Sequence, residues 1–312
     1  MPVVRTIATQ PGEPVVDSDE DSSRPQPFVL DPRGQGLPSA ISRRLHALRP
    51  TAIFVAVYLV GYVVLAAAVV ALGLLLTEVL LPIDAVLNAD QSVPTWLEDN
   101  RSPGLTDVSA VTSIAGDIPI LPGLVIVAII VGLVVKKSRI GIFLLAAILA
   151  EVTLYRVGTL AVPRTRPDVE RLDVLPIDHS FPSGHVAASF VVYIGLALLI
   201  TSRVPRRRVS VPVWTIGVGM VIAVAVSRMY RGMHHPLDVL SGSLLGAGSL
   251  LIALIAIRAY GEAEQIRSNR VHTNSVGEIE RANGTASLRA SRTFTRHGRA
   301  VTPDIPDRKA VT

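Results

Sequence analysis

SRMYRGMHHPLD, residues 227–238, decides how the chain is read. Arg228, Arg231 and the adjacent His234 and His235 stand between two long apolar runs and are followed by Pro236 and Asp238. Ionisable groups are costly in a membrane setting, so a cluster of them at the mouth of an apolar segment marks a functional site. Proline suits the first position of a helix. A helix begun at Pro236 puts Asp238 in its first turn, where an acid complements the dipole. From there the carboxylate is expected to reach back to His234, fixing its tautomer and leaving the other ring nitrogen free as a nucleophile.

The flanking runs belong to a chain of 312 residues, 49% hydrophobic and 18% charged, without cysteine, and with a mean hydropathy of +0.47. Such values describe an integral membrane protein with polar tails. The lack of cysteine excludes disulfides and thiolate metal sites. A net charge of +5 does not imply a nucleic-acid partner, because the basic residues gather in short segments beside apolar runs, as the positive-inside rule expects.

The expected fold is all-α: a polytopic membrane protein with six transmembrane helices in a bundle. The apolar runs cover 51–76, 107–135, 140–160, 184–201, 211–227 and 236–257, each near the ~20 residues a bilayer needs. The first reads as an uncleaved anchor. Three segments follow: a disordered cytoplasmic tail over 1–50 with the acidic patch DSDEDS at 17–22, a membrane domain over 51–258, and a second disordered cytoplasmic tail over 259–312. Basic residues without a motif lie before the first span and after the second, fourth and sixth. Both termini are therefore expected in the cytoplasm, with the motif-bearing connectors outside.

Two more constellations lie on that outer side. Pro182-Ser183-Gly184-His185 opens the fourth span; Ser183 is a candidate N-cap, and the amides that follow form an anion site at a helix start. Arg164-Thr165-Arg166-Pro167 follows the third span, and guanidinium groups suit bidentate phosphate binding. His235 reads as a cap or wall residue. Arg231 and Arg164 also read as partners for Asp168, Glu170 or lipid headgroups, and Asp107 and Asp117 as markers of the outer end of the second span.

Arg166-Pro167, then Pro182-Ser183-Gly184-His185, then Ser227-Arg228 with His234 and Asp238 resemble the three-part signature of the type 2 phosphatidic acid phosphatase family, whose active site is similar to that of vanadium-dependent haloperoxidases. The resemblance covers about residues 55–258. It implies a membrane phosphatase with its active site at the outer helix ends, acting on a lipid-linked phosphate or pyrophosphate. Phosphatidic acid, phosphatidylglycerol phosphate and polyprenyl pyrophosphate all remain open as substrates. It implies that His234 attacks phosphorus to form a phosphohistidine, that Asp238 orients it, and that His185 acts as general acid and then base. Arg166, Arg228, Ser183 and the Gly184 amide hold the phosphoryl oxygens. No metal or other cofactor is required by this scheme.

One position departs from the family pattern. Its first motif opens with a lysine seven residues before the arginine, and here that residue is Thr159. Arg164, or Arg156 one turn before Thr159, is the candidate replacement cation, with Arg164 favoured. Two alternatives follow: a phosphotransferase passing the phosphoryl group to a sugar or lipid acceptor, and a non-catalytic scaffold that keeps the fold. A transporter is disfavoured because the polar residues sit at helix ends. Six spans argue against a soluble haloperoxidase.

The orientation is testable because the parent has no cysteine. A cysteine introduced near Asp173 should react in intact cells with an impermeant thiol reagent, and one near Arg207 should not. The reverse pattern would put the site in the cytoplasm.

Overall fold

The computed structural model describes residues 28–117, 119–174 and 178–297, with side chains as far as residue 275 apart from residue 274. The acidic patch at 17–22 lies outside the described residues. Nine helices carry the described chain: α1 Gly36–Arg44, α2 Pro50–Leu80, α3 Asp84–Asp99, α4 Pro103–Ile114, α5 Ile120–Val134, α6 Arg139–Ala161, α7 Gly184–Arg203, α8 Arg207–Tyr230 and α9 Pro236–His297. Among the described residues the only β-pairing is one isolated bridge, Thr165 to His179. The described protein is thus all-helical.

Five helices, α2, α6, α7, α8 and the first part of α9, are long and apolar enough to cross a membrane. Their outward faces carry large apolar side chains such as Val63, Leu149, Ile216 and Leu244, a pattern suited to lipid. The second apolar run, 107–135, differs from expectation. It is two helices, α4 and α5, interrupted after Ile114 where Gly116, Asp117 and Pro119 disfavour helix. Helix α5 has 15 residues, about 22 Å at ~1.5 Å per residue and shorter than a bilayer core. The acidic connector before it is also helical: α3 is amphipathic, with Trp96 exposed.

The described chain divides into two compact units, residues 28–31 with 68–250 and residues 32–67 with 251–297. In the first unit α6 packs on α5 and α7, and α7 packs on α8, which also meets α3 and α4. Small residues allow these approaches, as expected where apolar lipid supplies little force to drive helices together. Gly242 and Gly246, four residues apart on α9, face the start of α7: an added Cβ would lie 2.4 Å from the Ser183 carbonyl oxygen and 2.7 Å from that of Ala187.

In the second unit α1 is strapped to α9. Ser42 donates to the Ala259 carbonyl at 2.8 Å. Glu262 Oε1 accepts from the backbone N–H groups of Arg33 and Gly34 at 2.8 and 2.6 Å. Ile53, Ala259 and Ala263 form a small core there, with Ile41, Leu45 and Val57 against it. Two differences from the sequence reading appear in this unit. Residues 36–44 are helical where a disordered tail is expected, and α9 continues past residue 258 to His297.

The contact of Gly242 with Ser183 sets how closely α9 approaches the PSGH segment. Gly242→Ala forces that backbone apart, and overpacking of this kind costs about 1–3 kcal/mol. A lower thermal midpoint in detergent is expected; an unchanged midpoint would contradict the tight approach.

Candidate active site

The connector after α6 folds back on itself. Ser180 donates its N–H to the Arg164 carbonyl at 2.9 Å and its hydroxyl to the Thr165 carbonyl at 2.8 Å. This pairing aims the Ser180 carbonyl at His234 Nδ1, 2.8 Å away. A carbonyl only accepts, so Nδ1 carries the proton and Nε2 keeps its lone pair. Asp238 does not hold His234, contrary to the sequence expectation. Its Oδ2 accepts from the backbone N–H of His235 at 2.8 Å and lies 3.2 Å from His235 Nδ1, while Oδ1 accepts from Arg164 Nη1 at 2.5 Å. A carboxylate in a first turn meets the free amides before it, and the nearest one here belongs to His235. His235 is thereby the wall residue its sequence position suggests, with Nε2 3.1 Å from Gln91 Oε1.

Arg164 is likewise committed elsewhere. Its Nη2 pairs with Asp90 on α3, and Asp90 Oδ1 accepts from the Leu237 N–H at 3.0 Å. Both terminal nitrogens of this buried guanidinium hold carboxylates, so it links three elements and does not replace the missing lysine. Arg156 is exposed. Thr159 is buried and donates to the Tyr155 carbonyl at 2.9 Å.

The remaining cations line the site. Arg228 is 2% exposed. Its Nη1 donates to Ser113 Oγ and Asp173 Oδ2, each at 2.8 Å, whereas Nε and Nη2 are buried without a partner among the described residues. Ser183 stands at the start of α7 without a side-chain cap bond, and its buried Oγ also lacks a partner. Orphaned donors of this kind call for an explanation, and a bound anion supplies one. Arg166 donates from Nη1 to the Met233 carbonyl at 2.6 Å. A Cβ at Gly184 would lie 3.0 Å from the Tyr155 ring. A cavity of about 390 Å³ is lined by Ser113, Asp117, Asp173, His185, Arg228 and Arg231. His185 Nε2 lies 3.8 Å from Asp117 Oδ1, which gives Asp117 a place in the site rather than only at a helix end.

Arg231 pairs with Asp173 through two contacts, Nε to Oδ2 at 2.9 Å and Nη2 to Oδ1 at 2.6 Å, and not with Asp168 or Glu170. Burial alone would raise the Asp173 pKa, but Arg231 and Arg228 hold it below the usual carboxylate value. Burial, aided by the Arg228 charge, holds His234 well below the usual histidine value, so its ring stays neutral. Asp90, Ser113, Asp173 and Ser180 were not singled out as site residues by sequence. Asp90 and Ser113 come from helices far from the motifs in the chain, and Ser180 acts through its backbone, so no local signal marks them.

A helical, lipid-suited bundle with a polar, arginine-lined pocket at its helix ends is the class of protein these features define. Residues 140–261 match the family model of the PAP2 superfamily, and this stretch is similar to members of that superfamily. It contains Arg166, Ser183, His185, Arg228, His234 and Asp238. Undecaprenyl-diphosphatase of Sulfolobus acidocaldarius is 36% identical over 122 residues, 37% of this chain and 54% of that protein; the chain thus spans about half the length of that relative. Phosphatidylglycerophosphatase B of Bacillus subtilis is 28% identical over 182 residues, 57% of this chain and 86% of that protein. The crystal structure of a transmembrane PAP2-type phosphatidylglycerolphosphate phosphatase from Bacillus subtilis superposes with a TM-score of 0.50 at 27% identity, covering 66% of this chain and 94% of that one.

Removing one partner of a buried ion pair typically costs about 3–5 kcal/mol. Asp90→Asn and Arg164→Gln should each lower the thermal midpoint, and the double variant should cost less than the sum by about 0.5–3 kcal/mol. An Arg164→Gln protein of parental stability that had lost only its rate would return Arg164 to the phosphate ligands.

Proposed function

We propose that the protein is a multi-pass membrane phosphatase that hydrolyses a lipid-linked phosphate or pyrophosphate ester through a phosphohistidine. The observation that carries this reading is the set of unpartnered buried donors, Ser183 Oγ and Arg228 Nε and Nη2, in a site whose histidine is held with Nε2 as the free nitrogen. The relatives' names point to a polyprenyl diphosphate or phosphatidylglycerol phosphate as substrate.

In this mechanism His234 Nε2 attacks phosphorus as the bond to the leaving oxygen breaks. His185, whose Nε2 lies 3.8 Å from Asp117 Oδ1, gives that oxygen a proton. Arg166, Arg228, Ser183 Oγ and the Gly184 amide offset charge on the equatorial oxygens. The Ser180 carbonyl and the nearby Asp238 charge stabilise the imidazolium that forms. Water then attacks the phosphohistidine, His185 takes its proton, the P–N bond breaks and phosphate leaves. Asp173 balances Arg228 and Arg231 until the substrate anion arrives.

A site at the ends of membrane helices admits a headgroup while the hydrocarbon chain stays in lipid, which favours an amphiphile. The catalytic domain in this reading is residues 51–258, with α4 and α5 together forming the sixth crossing. Both termini are cytoplasmic and the pocket is extracytoplasmic, in keeping with Arg43, Arg44, Lys136, Lys137 and Arg206–Arg208 on the opposite side. With Thr159 at the lysine position, Arg228 and Arg166 supply the positive charge toward the phosphoryl group, and Arg231 lines the cavity beside Arg228.

His234→Ala should abolish phosphate release from a panel of lipid phosphates in detergent and leave thermal stability near the parent's. Labelled substrate should leave an acid-labile phosphohistidine on the parent alone. Substantial turnover by the variant would rule out His234 as the nucleophile.

A further inference from the structure

The second unit carries a basic groove remote in sequence from the PSGH and HHPLD segments. Two adjoining cavities, about 820 and 400 Å³, share Arg49 and Arg267 in their walls, and sizes of this order suit a small-molecule headgroup. Arg270 and His46 line the smaller cavity; His272 and Ser268 line the larger. Glu264 is the one acid in either lining, and it already accepts from the Tyr260 hydroxyl at 2.7 Å. Arg49, Arg267 and Arg270 are exposed, and their guanidinium groups make no hydrogen bond or ion pair among the described residues.

The groove stands at the polar end of an apolar stripe. Pro50 and Thr51 are in its wall. Phe54, Tyr58 and Tyr62 continue the Pro50 stripe at helical spacing, with ring centroids 6.0 and 6.5 Å apart, and Val55 and Leu59 continue the Thr51 stripe, both exposed. A cationic cavity that opens onto an exposed apolar stripe fits a ligand with an anionic head and hydrocarbon chains. We propose that this groove binds the phosphate of an anionic bilayer phospholipid, with Arg49, Arg267 and Arg270 as its ligands. Free inorganic phosphate shares the head chemistry but makes no use of the stripe. The inference rests on the chain being a multi-pass membrane protein and not on the catalytic reading.

Native mass spectrometry of the full chain in neutral detergent, with phosphatidylglycerol or phosphatidylcholine as the added lipid, tests the site. Each basic residue at a lipid surface is worth about a fivefold preference for anionic lipid, so R49Q/R267Q/R270Q should bind phosphatidylglycerol about 100-fold more weakly. The triple lysine variant should keep most of the affinity, and phosphatidylcholine should bind parent and variants alike. If the triple glutamine variant is unstable, Arg267→Gln alone should show about a fivefold loss. Lipid bound at the active-site pocket is common to all these proteins and leaves the comparison unchanged. Equal phosphatidylglycerol binding by parent and glutamine variants would overturn the proposal. So would displacement of the lipid by inorganic phosphate as readily as by competing phosphatidylglycerol, since the site would then be one for the free anion.

Discussion

Arg164 is the hinge on which the site is built. Its guanidinium joins Asp90 of α3 to Asp238 of α9 from a connector that belongs to neither. All three groups are buried, so none of the three charges can fall back on water, and each is acceptable only while the others stay. Asp90 also caps the start of α9 through Leu237, and Asp238 does so through His235. One cation and two carboxylates therefore hold the helix that follows the HH pair, and with it the position of His234.

That arrangement redistributes the work of orienting the histidine. With Asp238 engaged by Arg164 and the His235 amide, the Ser180 carbonyl accepts the hydrogen bond from His234 Nδ1–H. The carbonyl is aimed by the pairing of Ser180 with Arg164 and Thr165, so the arginine's backbone and side chain act on the same site from two directions. A neutral backbone oxygen fixes the tautomer without adding a charge, while the Asp238 charge acts at longer range. Around this core, Arg228 keeps one nitrogen on Ser113 and Asp173 and leaves two donors unmet. Asp173 partly neutralises the pocket while leaving those donors open to an anion.

Close helix contact makes this geometry possible. Gly242 and Gly246 let α9 meet the start of α7 backbone to backbone, and the bonds from Ser183 N–H to the Asp238 carbonyl and from Ser180 to the connector complete the seal. The outward faces remain apolar, so packing and polar bonds within the bundle, rather than exclusion of water, must hold the helices together.

The amino-acid sequence by itself determined the all-helical membrane class, because apolar runs of spanning length leave few alternatives for backbone hydrogen bonds in lipid. It also offered Arg166, Ser183, His185, Arg228, His234 and Asp238 as candidate site residues, because their local motifs put costly groups near helix starts. It misassigned the His234 partner and the task of Arg164, because both depend on which groups meet across the fold: a residue's charge is local, but its counter-charge is not. Asp90, 74 residues from Arg164, has no mark in its own neighbourhood. The break between α4 and α5 had a local cause that the hydropathy of the run concealed, and the continuation of α9 depends on packing. Weak local preference at Gly116 and Pro119 ended one helix, while contact with α1 sustained the other beyond the apolar run. Only the tertiary structure, by burying Arg164 between two carboxylates and leaving Arg228 Nε and Nη2 without partners among the described residues, separated a cation that ties elements together from one with open donors.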